Sequence, residues 1–235
     1  MEERYYKNLA VAAVRGRLSR LGKSDLLNGD LMTKPLYEID SADLEAAIAA
    51  AKEIDMKIYP FKKSERVMPR VHKTLGFLRG IYFENLLDVG SGRGAFLFPF
   101  MEAFPHVCVT SLEILRKRID LLSDISRGGE TRLSVLPIDI CEAGRDEIPD
   151  SSFDVVTLLE VLEHIPRVRD AIRNAVRIAK SYVIVTVPSC EDDNPEHIHL
   201  LTKETLTAYF NECGVRKLSF DEGPSHLFMI ARLDG

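Results

Sequence analysis

The sequence predicts a doubly wound α/β sheet preceded by a helical extension, and three observations carry that prediction. From Leu86 onward, seven short β-type runs alternate with helical stretches, the pattern of a mainly parallel sheet. The last two runs flank only "DEGPS", Asp221 to Ser225, too few residues for a crossover helix, so they must pair antiparallel. Ahead of Leu86 the periodicity is helical and the breaks are turn-rich.

Residues 5–22 read as a helix, because Leu9, Val11, Ala12, Val14, Leu18 and Leu21 fall near one face with arginines on the other. The run from Asn28 to Asp40, "NGDLMTKPLYEID", is turn-rich and non-periodic and is expected to be an extended connector. Asp40 and Ser41 are capping residues ahead of an alanine-rich helix that reaches about Asp55. Another helix is expected over 66–80, closed by Gly80. The strands are Leu86–Val89, Cys108–Leu112, Leu133–Pro137, Val155–Leu159, Tyr182–Val187, Val215–Phe220 and Leu227–Arg232, with helices at about 94–103, 114–126, 167–179 and 202–212. This divides the chain into a helical accessory segment, 1–65, and an α/β domain, 66–235.

With 235 residues and 46% apolar content, the chain can bury one good core plus that accessory segment. No apolar run has the length of a signal-peptide core or a membrane span, so a cytoplasmic protein with no membrane partner is expected. Cys108, Cys141, Cys190 and Cys213 match neither a zinc ribbon nor a disulfide framework and read as free, mostly buried thiols. The net charge of −5 conceals an asymmetry. Residues 1–80 hold 15 Lys and Arg against 11 Asp and Glu, whereas 81–235 hold 16 against 25. The basic stretch Met56 to Gly80 suits either a solvated helix face or an anionic partner.

The chemistry gathers around "NLLDVGSGRGAFLFPF", Asn85 to Phe100. An apolar strand ending in Asp88 meets Gly90, Ser91, Gly92 and Gly94, and this spacing is not the G-x-G-x-x-G of a pyrophosphate loop. A ligand with an amino-acid tail and an adenosine, and no pyrophosphate, would want close backbone approach and an acid for its ammonium. S-adenosylmethionine is such a ligand. Glu113 ends the second strand, where a carboxylate accepts ribose hydroxyls, and Asp139 with Ile140 follows the third, where an acid and an apolar side chain can flank adenine.

Together with "FDVVTLLEVLEHI", Phe153 to Ile165, these stretches make residues 70–235 resemble the class I S-adenosylmethionine-dependent methyltransferases. The resemblance implies strand order 3-2-1-4-5-7-6 with strand 7 antiparallel. It also implies a cofactor pocket of Asp88, Gly90, Ser91, Gly92, Gly94, Glu113, Asp139, Ile140 and Glu160.

Strand 4 runs into "LLEVLEH" and strand 5 into "VPSCEDDNPEHIHLLT". As neighbours in that order, their loops are expected to bring Glu163, His164 and His197 together beside the transferable methyl, as a catalytic cluster without metal. Mixed carboxylate and imidazole groups would also suit a divalent ion. "ExxEH" with a later histidine is similar to the small-RNA 3′-terminal 2′-O-methyltransferases, although "HIHLLTKE" departs from that family's aromatic-acidic stretch. The acceptor is expected to be small or anionic, with RNA as the alternative. A non-catalytic S-adenosylmethionine-binding regulatory module is a further one.

Overall fold

In the computed structural model, residues 2–58, 68–191, 193–223 and 225–233 are described. The expected boundary at 65/66, part of the basic stretch and Pro224 of the final turn lie outside them.

The seven-stranded sheet has the order β3-β2-β1-β4-β5-β7-β6. Its strands are β1 (Asn85–Val89), β2 (Cys108–Leu112), β3 (Leu133–Leu136), β4 (Phe153–Leu159), β5 (Ala179–Pro188), β6 (Lys217–Glu222) and β7 (His226–Arg232). β1 pairs parallel with β2 and β4, β4 parallel with β5, and β7 antiparallel with both β5 and β6. Chain order reverses direction between β1 and β4, which opens a crevice at their carboxyl ends, the usual ligand position of such sheets. The antiparallel hairpin also brings the amino end of β7 to that edge, with His226 in register with Pro188.

The helices are α1 (Glu2–Leu21), α2 (Gly29–Thr33), α3 (Ser41–Glu53), α4 (Pro69–Leu78), α5 (Leu97–Ala103), α6 (Arg116–Arg127), α7 (Val168–Ile178) and α8 (Lys203–Glu212). α3 starts where expected, with a reciprocal cap: the Asp43 N–H donates to Asp40 and the Asp40 N–H donates to Asp43, both at 3.0 Å.

Three expectations are corrected. The run 28–40 is not extended. The Asn28 side chain caps α2 by accepting the Leu31 N–H at 2.9 Å, and a 3₁₀ turn follows at Leu36–Glu38, because Leu31 and Ile39 are drawn into a core with Val11, Val14 and Leu18. The helix after the glycine loop begins at Leu97 rather than 94, since Gly90, Gly92 and Gly94 all hold positive φ, which a right-handed helix cannot contain. The cysteines are free, but Cys108 and Cys190 are exposed and the other two half-buried. Cys108 opens β2 as its one exposed residue.

The described chain forms two compact units, Met1–Lys63 with Leu115–Leu136, and Ser64–Ile114 with Pro137–Gly235. In the first, α1 lies tightly on α6. A Cβ at Gly16 would stand 1.8 Å from the Asp124 carbonyl oxygen, and one at Gly128 1.8 Å from that of Ala12. The fully buried Asp124 carboxylate accepts from Arg17 at 2.6 Å and Arg20 at 2.8 Å. The second unit holds the residues expected to form the site.

Candidate functional site

Asp88 is the penultimate residue of the buried strand β1, and its neighbours in register are Ser111 on β2 and Thr157 on β4. Thr157 donates its hydroxyl to Asp88 Oδ1 at 2.7 Å, while no hydrogen bond reaches the enclosed Oδ2 among the described residues. Burial pushes the carboxyl up to about 6, against the pull of the Ser91 and Thr157 hydroxyls. An acid raised by burial and left with a bare oxygen at a strand's carboxyl end is suited to receiving a cation.

The loop after it is built on glycine. Gly90 has φ 66° and packs under Val161, and Gly94 has φ 83° with the Phe98 ring where its Cβ would be, 2.2 Å from the nearest ring carbon. The Gly90 N–H donates to the Leu112 carbonyl at 2.7 Å, fixing the loop to the end of β2. Ser91 is buried and donates its hydroxyl to the Asp88 carbonyl at 3.2 Å. Glu113 is 3% exposed and accepts the Gly92 N–H at 3.0 Å and the Ile114 N–H at 2.9 Å. The second-strand acid therefore already grips the glycine loop.

Asp139 bonds locally, and Ile140 is tied to α7. Asp139 Oδ1 accepts the Cys141 N–H at 2.8 Å, and the Ile140 carbonyl accepts from the Asn174 amide at 2.8 Å, with the Ile140 side chain buried. Glu160 sits just past β4 at φ 58°, a left-handed conformation unusual for glutamate. Its Oε1 accepts from the Thr186 hydroxyl at 2.9 Å, and its Oε2 lies 3.0 Å from His226 Nε2.

Glu163, His164 and His197 come together across 33 residues, with one ligand-type atom from each within 4.8 Å of the others. The 3₁₀ turn Leu162–His164 carries the first two, and the Ile198 N–H donates to the Glu163 carbonyl at 2.9 Å, tying the loop after β5 to that turn. The rings of His164 and His197 meet edge to face at 4.8 Å. His164 Nδ1 lies 2.9 Å from the Glu196 carbonyl, which requires its N–H there and leaves Nε2 with the lone pair, 3.9 Å from the fully buried Glu163 carboxylate. This set offers hydrogen bonds to a substrate hydroxyl, and its donor types also fit a divalent cation.

Two residues were not foreseen. Val161 closes over Gly90, and His226 joins Glu160. The signal for His226 was available, since the first residue of an antiparallel last strand lies at the carboxyl ends of its parallel neighbours.

A family profile described as a methyltransferase domain matches residues 87–181, from the strand carrying Asp88 into β5. Residues 87–181 thus carry a methyltransferase domain, and the fold around it is that of the class I S-adenosylmethionine-dependent methyltransferases. The chain is 26% identical over 152 residues to the 27-O-demethylrifamycin SV methyltransferase of Amycolatopsis mediterranei, an alignment covering 61% of this chain and 52% of the relative. It is 30% identical over 96 residues to the ubiquinone biosynthesis O-methyltransferase of Rickettsia akari, covering 41% of this chain and 36% of that protein. The chain thus spans about half or less of the length of these relatives. A solved S-adenosylmethionine-dependent methyltransferase from Aquifex aeolicus has the same fold, with a TM-score of 0.57 at 17% identity, covering 77% of this chain and 95% of the other. S-adenosylmethionine is the cofactor of such a domain. No helix among the described residues is long and apolar enough to cross a membrane.

Proposed function

We propose that the protein transfers a methyl group from S-adenosylmethionine to a hydroxyl of a small or anionic acceptor. The observation that carries this reading is the buried, half-bonded Asp88 beside a positive-φ glycine loop that Glu113 holds from the second strand. In this reading Asp88 takes the ammonium, Gly90, Ser91, Gly92 and Gly94 the methionine end, and Glu113 the ribose. Asp139 and Ile140 flank the adenine, and Glu160 borders the methyl. His164 and His197, with Glu163, form the acceptor-side cluster that holds the hydroxyl in line with the carbon–sulfur bond. The acceptor oxygen attacks the methyl carbon, the bond to sulfur breaks with its electron pair left on sulfur, and the acceptor proton leaves to a base. Both curated relatives support oxygen as the acceptor atom, one by its 27-O-demethyl substrate and the other by its name.

The compact cluster of Glu163, His164 and His197 also favours a second reading. There the same three side chains hold a divalent ion that would supply Lewis acidity to the hydroxyl, with the basic residues of 56–80 facing RNA. We propose residues 1–65 as the accessory segment and 66–235 as the methyltransferase domain.

Titration calorimetry with wild type and Glu113→Ala tests the cofactor site, and the substitution is expected to weaken S-adenosylmethionine binding by about 1.5–3 kcal/mol. No binding by the wild type at millimolar cofactor would sink the reading. Labelled S-adenosylmethionine, offered with a small-metabolite extract or with total RNA, with and without chelator, separates the acceptor classes.

A further inference from the structure

We infer that His226, oriented by Glu160, is the general base that takes the acceptor's proton. This rests on the methyltransferase reading above.

Both ring nitrogens of His226 are engaged. Nε2 lies 3.0 Å from Glu160 Oε2, and Nδ1 lies 2.8 Å from the Ser225 hydroxyl. The neutral tautomer that satisfies both contacts carries its proton on Nε2, donated to Glu160. The Nδ1 lone pair then accepts from Ser225, which is exposed. The basic nitrogen therefore meets an exposed hydroxyl at the edge where His226 stands in register with Pro188, the carboxyl end of β5, and a substrate hydroxyl that takes the place of the Ser225 hydroxyl would reach it.

A proton arriving at Nδ1 turns the Nε2–H contact into a charge-assisted hydrogen bond with a carboxylate already in place. The His164–Glu163 pair cannot do this at 3.9 Å, which is beyond a hydrogen bond. Other charges face His226 as well. Arg70 of α4 has Nη1 3.5 Å from Nε2 and opposes protonation, at a longer distance than the favourable carboxylate. Lys73, on the same helix, is held by Asp221 at 2.6 Å.

Glu160 is itself fixed for this task. Its left-handed backbone is held by its N–H donating to the Thr186 carbonyl at 2.9 Å, and its other oxygen accepts the Thr186 hydroxyl. Strain kept at a site on the ligand-binding edge is a mark of function. Glu160 is thus a positioning residue, and His226 the group that meets the acceptor. In the balanced step, the acceptor O–H loses its proton to Nδ1 as its oxygen bonds the methyl carbon, and the sulfonium becomes a neutral thioether.

The test measures transfer of label from S-adenosylmethionine into a small-metabolite extract across pH 5 to 9. His226→Gln and His226→Asn are expected to lower turnover roughly 10²–10⁴-fold and to erase the acid limb of the profile, with cofactor affinity by calorimetry unchanged. Imidazole in the buffer is expected to restore part of the activity of His226→Ala, which a purely structural role would not permit. Glu160→Gln is expected to lower kcat less than the His226 variants do and to leave the acceptor KM unchanged, because only the orientation of the imidazole is lost. If the His226 variants keep both rate and acid limb, the inference is overturned while the methyltransferase reading stands. A wild type that binds no cofactor overturns that reading, and this one with it.

Discussion

Val161 stands directly over Gly90: a Cβ added at position 90 would come within 2.8 Å of Val161 Cγ2, and Gly90 holds φ 66°. The loop after β4 thus rests on the glycine loop after β1, and the shape of one depends on the other. Gly90→Ala combines a left-handed alanine, roughly 1–2 kcal/mol, with a contact on a stiff β-branched neighbour. The variant is expected to lose stability in urea unfolding and to bind S-adenosylmethionine more weakly. Adding Val161→Ala is expected to recover the steric part and leave the backbone part. Two losses that simply add would show that the two loops do not press on each other.

Burial raises the Asp88 carboxyl to about 6, and this sets a pH signature. The value in the unfolded chain is about 3.9, so between these limits the native state binds the proton more tightly. Stability contributed by the neutral carboxyl is present below about 4 and falls as pH rises to about 6, by on the order of 3 kcal/mol. Urea midpoints from pH 4 to 7 are expected to show that slope in the wild type and not in Asp88→Asn. Cofactor binding runs the other way. With the cofactor's ammonium on Asp88, as proposed, binding favours the ionised carboxylate, so affinity for S-adenosylmethionine is expected to fall about tenfold per pH unit below 6.

In the unit formed by Met1–Lys63 and Leu115–Leu136, α1 and α6 touch through backbone at Gly16 and Gly128. Neither neighbour is a flexible side-chain tip, so relief requires moving a helix. Gly16→Ala is expected to cost about 1–3 kcal/mol in denaturant unfolding. Asp124→Ala, which leaves Arg17 and Arg20 facing a buried void, is expected to cost about 3 kcal/mol. Unchanged midpoints in both variants would mean that the two helices do not hold this close approach in solution.

Much of this architecture was legible because it is enforced locally. The hairpin of β6 and β7 follows from a connector too short to cross over, and the glycine loop from residues that alone adopt φ above zero cheaply. The meeting of His164 and His197 followed from adjacent strands in the sheet order. What stayed hidden depends on contacts that no spacing encodes. The place of His226 at the sheet edge was readable, but its pairing with Glu160, 66 positions away, turns on a choice of rotamers. Val161 reads as an ordinary apolar residue until the loop after β4 lies over Gly90. The short helix α2 was lost for another reason: five residues hold too few turns to show periodicity, and its stability comes from the Asn28 cap and the buried Leu31.

The cluster of Glu163, His164 and His197 separates two chemistries by one reagent. The His164 ring is aimed by its contact with the Glu196 carbonyl, and the His197 ring packs edge-on against it, so each ring limits where the other can sit. If the imidazoles act by holding the acceptor hydroxyl, His164→Ala and His197→Ala are each expected to lower turnover roughly 10²–10⁴-fold, because misalignment of an in-line displacement is costly. Cofactor affinity is expected to stay within about twofold, since Asp88 and Glu113 are untouched, and chelator is expected to have no effect. If the cluster holds a divalent ion, chelator abolishes turnover in the wild type, added manganese or cobalt restores it, and neither histidine variant responds to the added metal. Normal turnover in both variants would remove the cluster from the chemistry and leave the two histidines as the residues that pin the loop after β5 to the turn after β4.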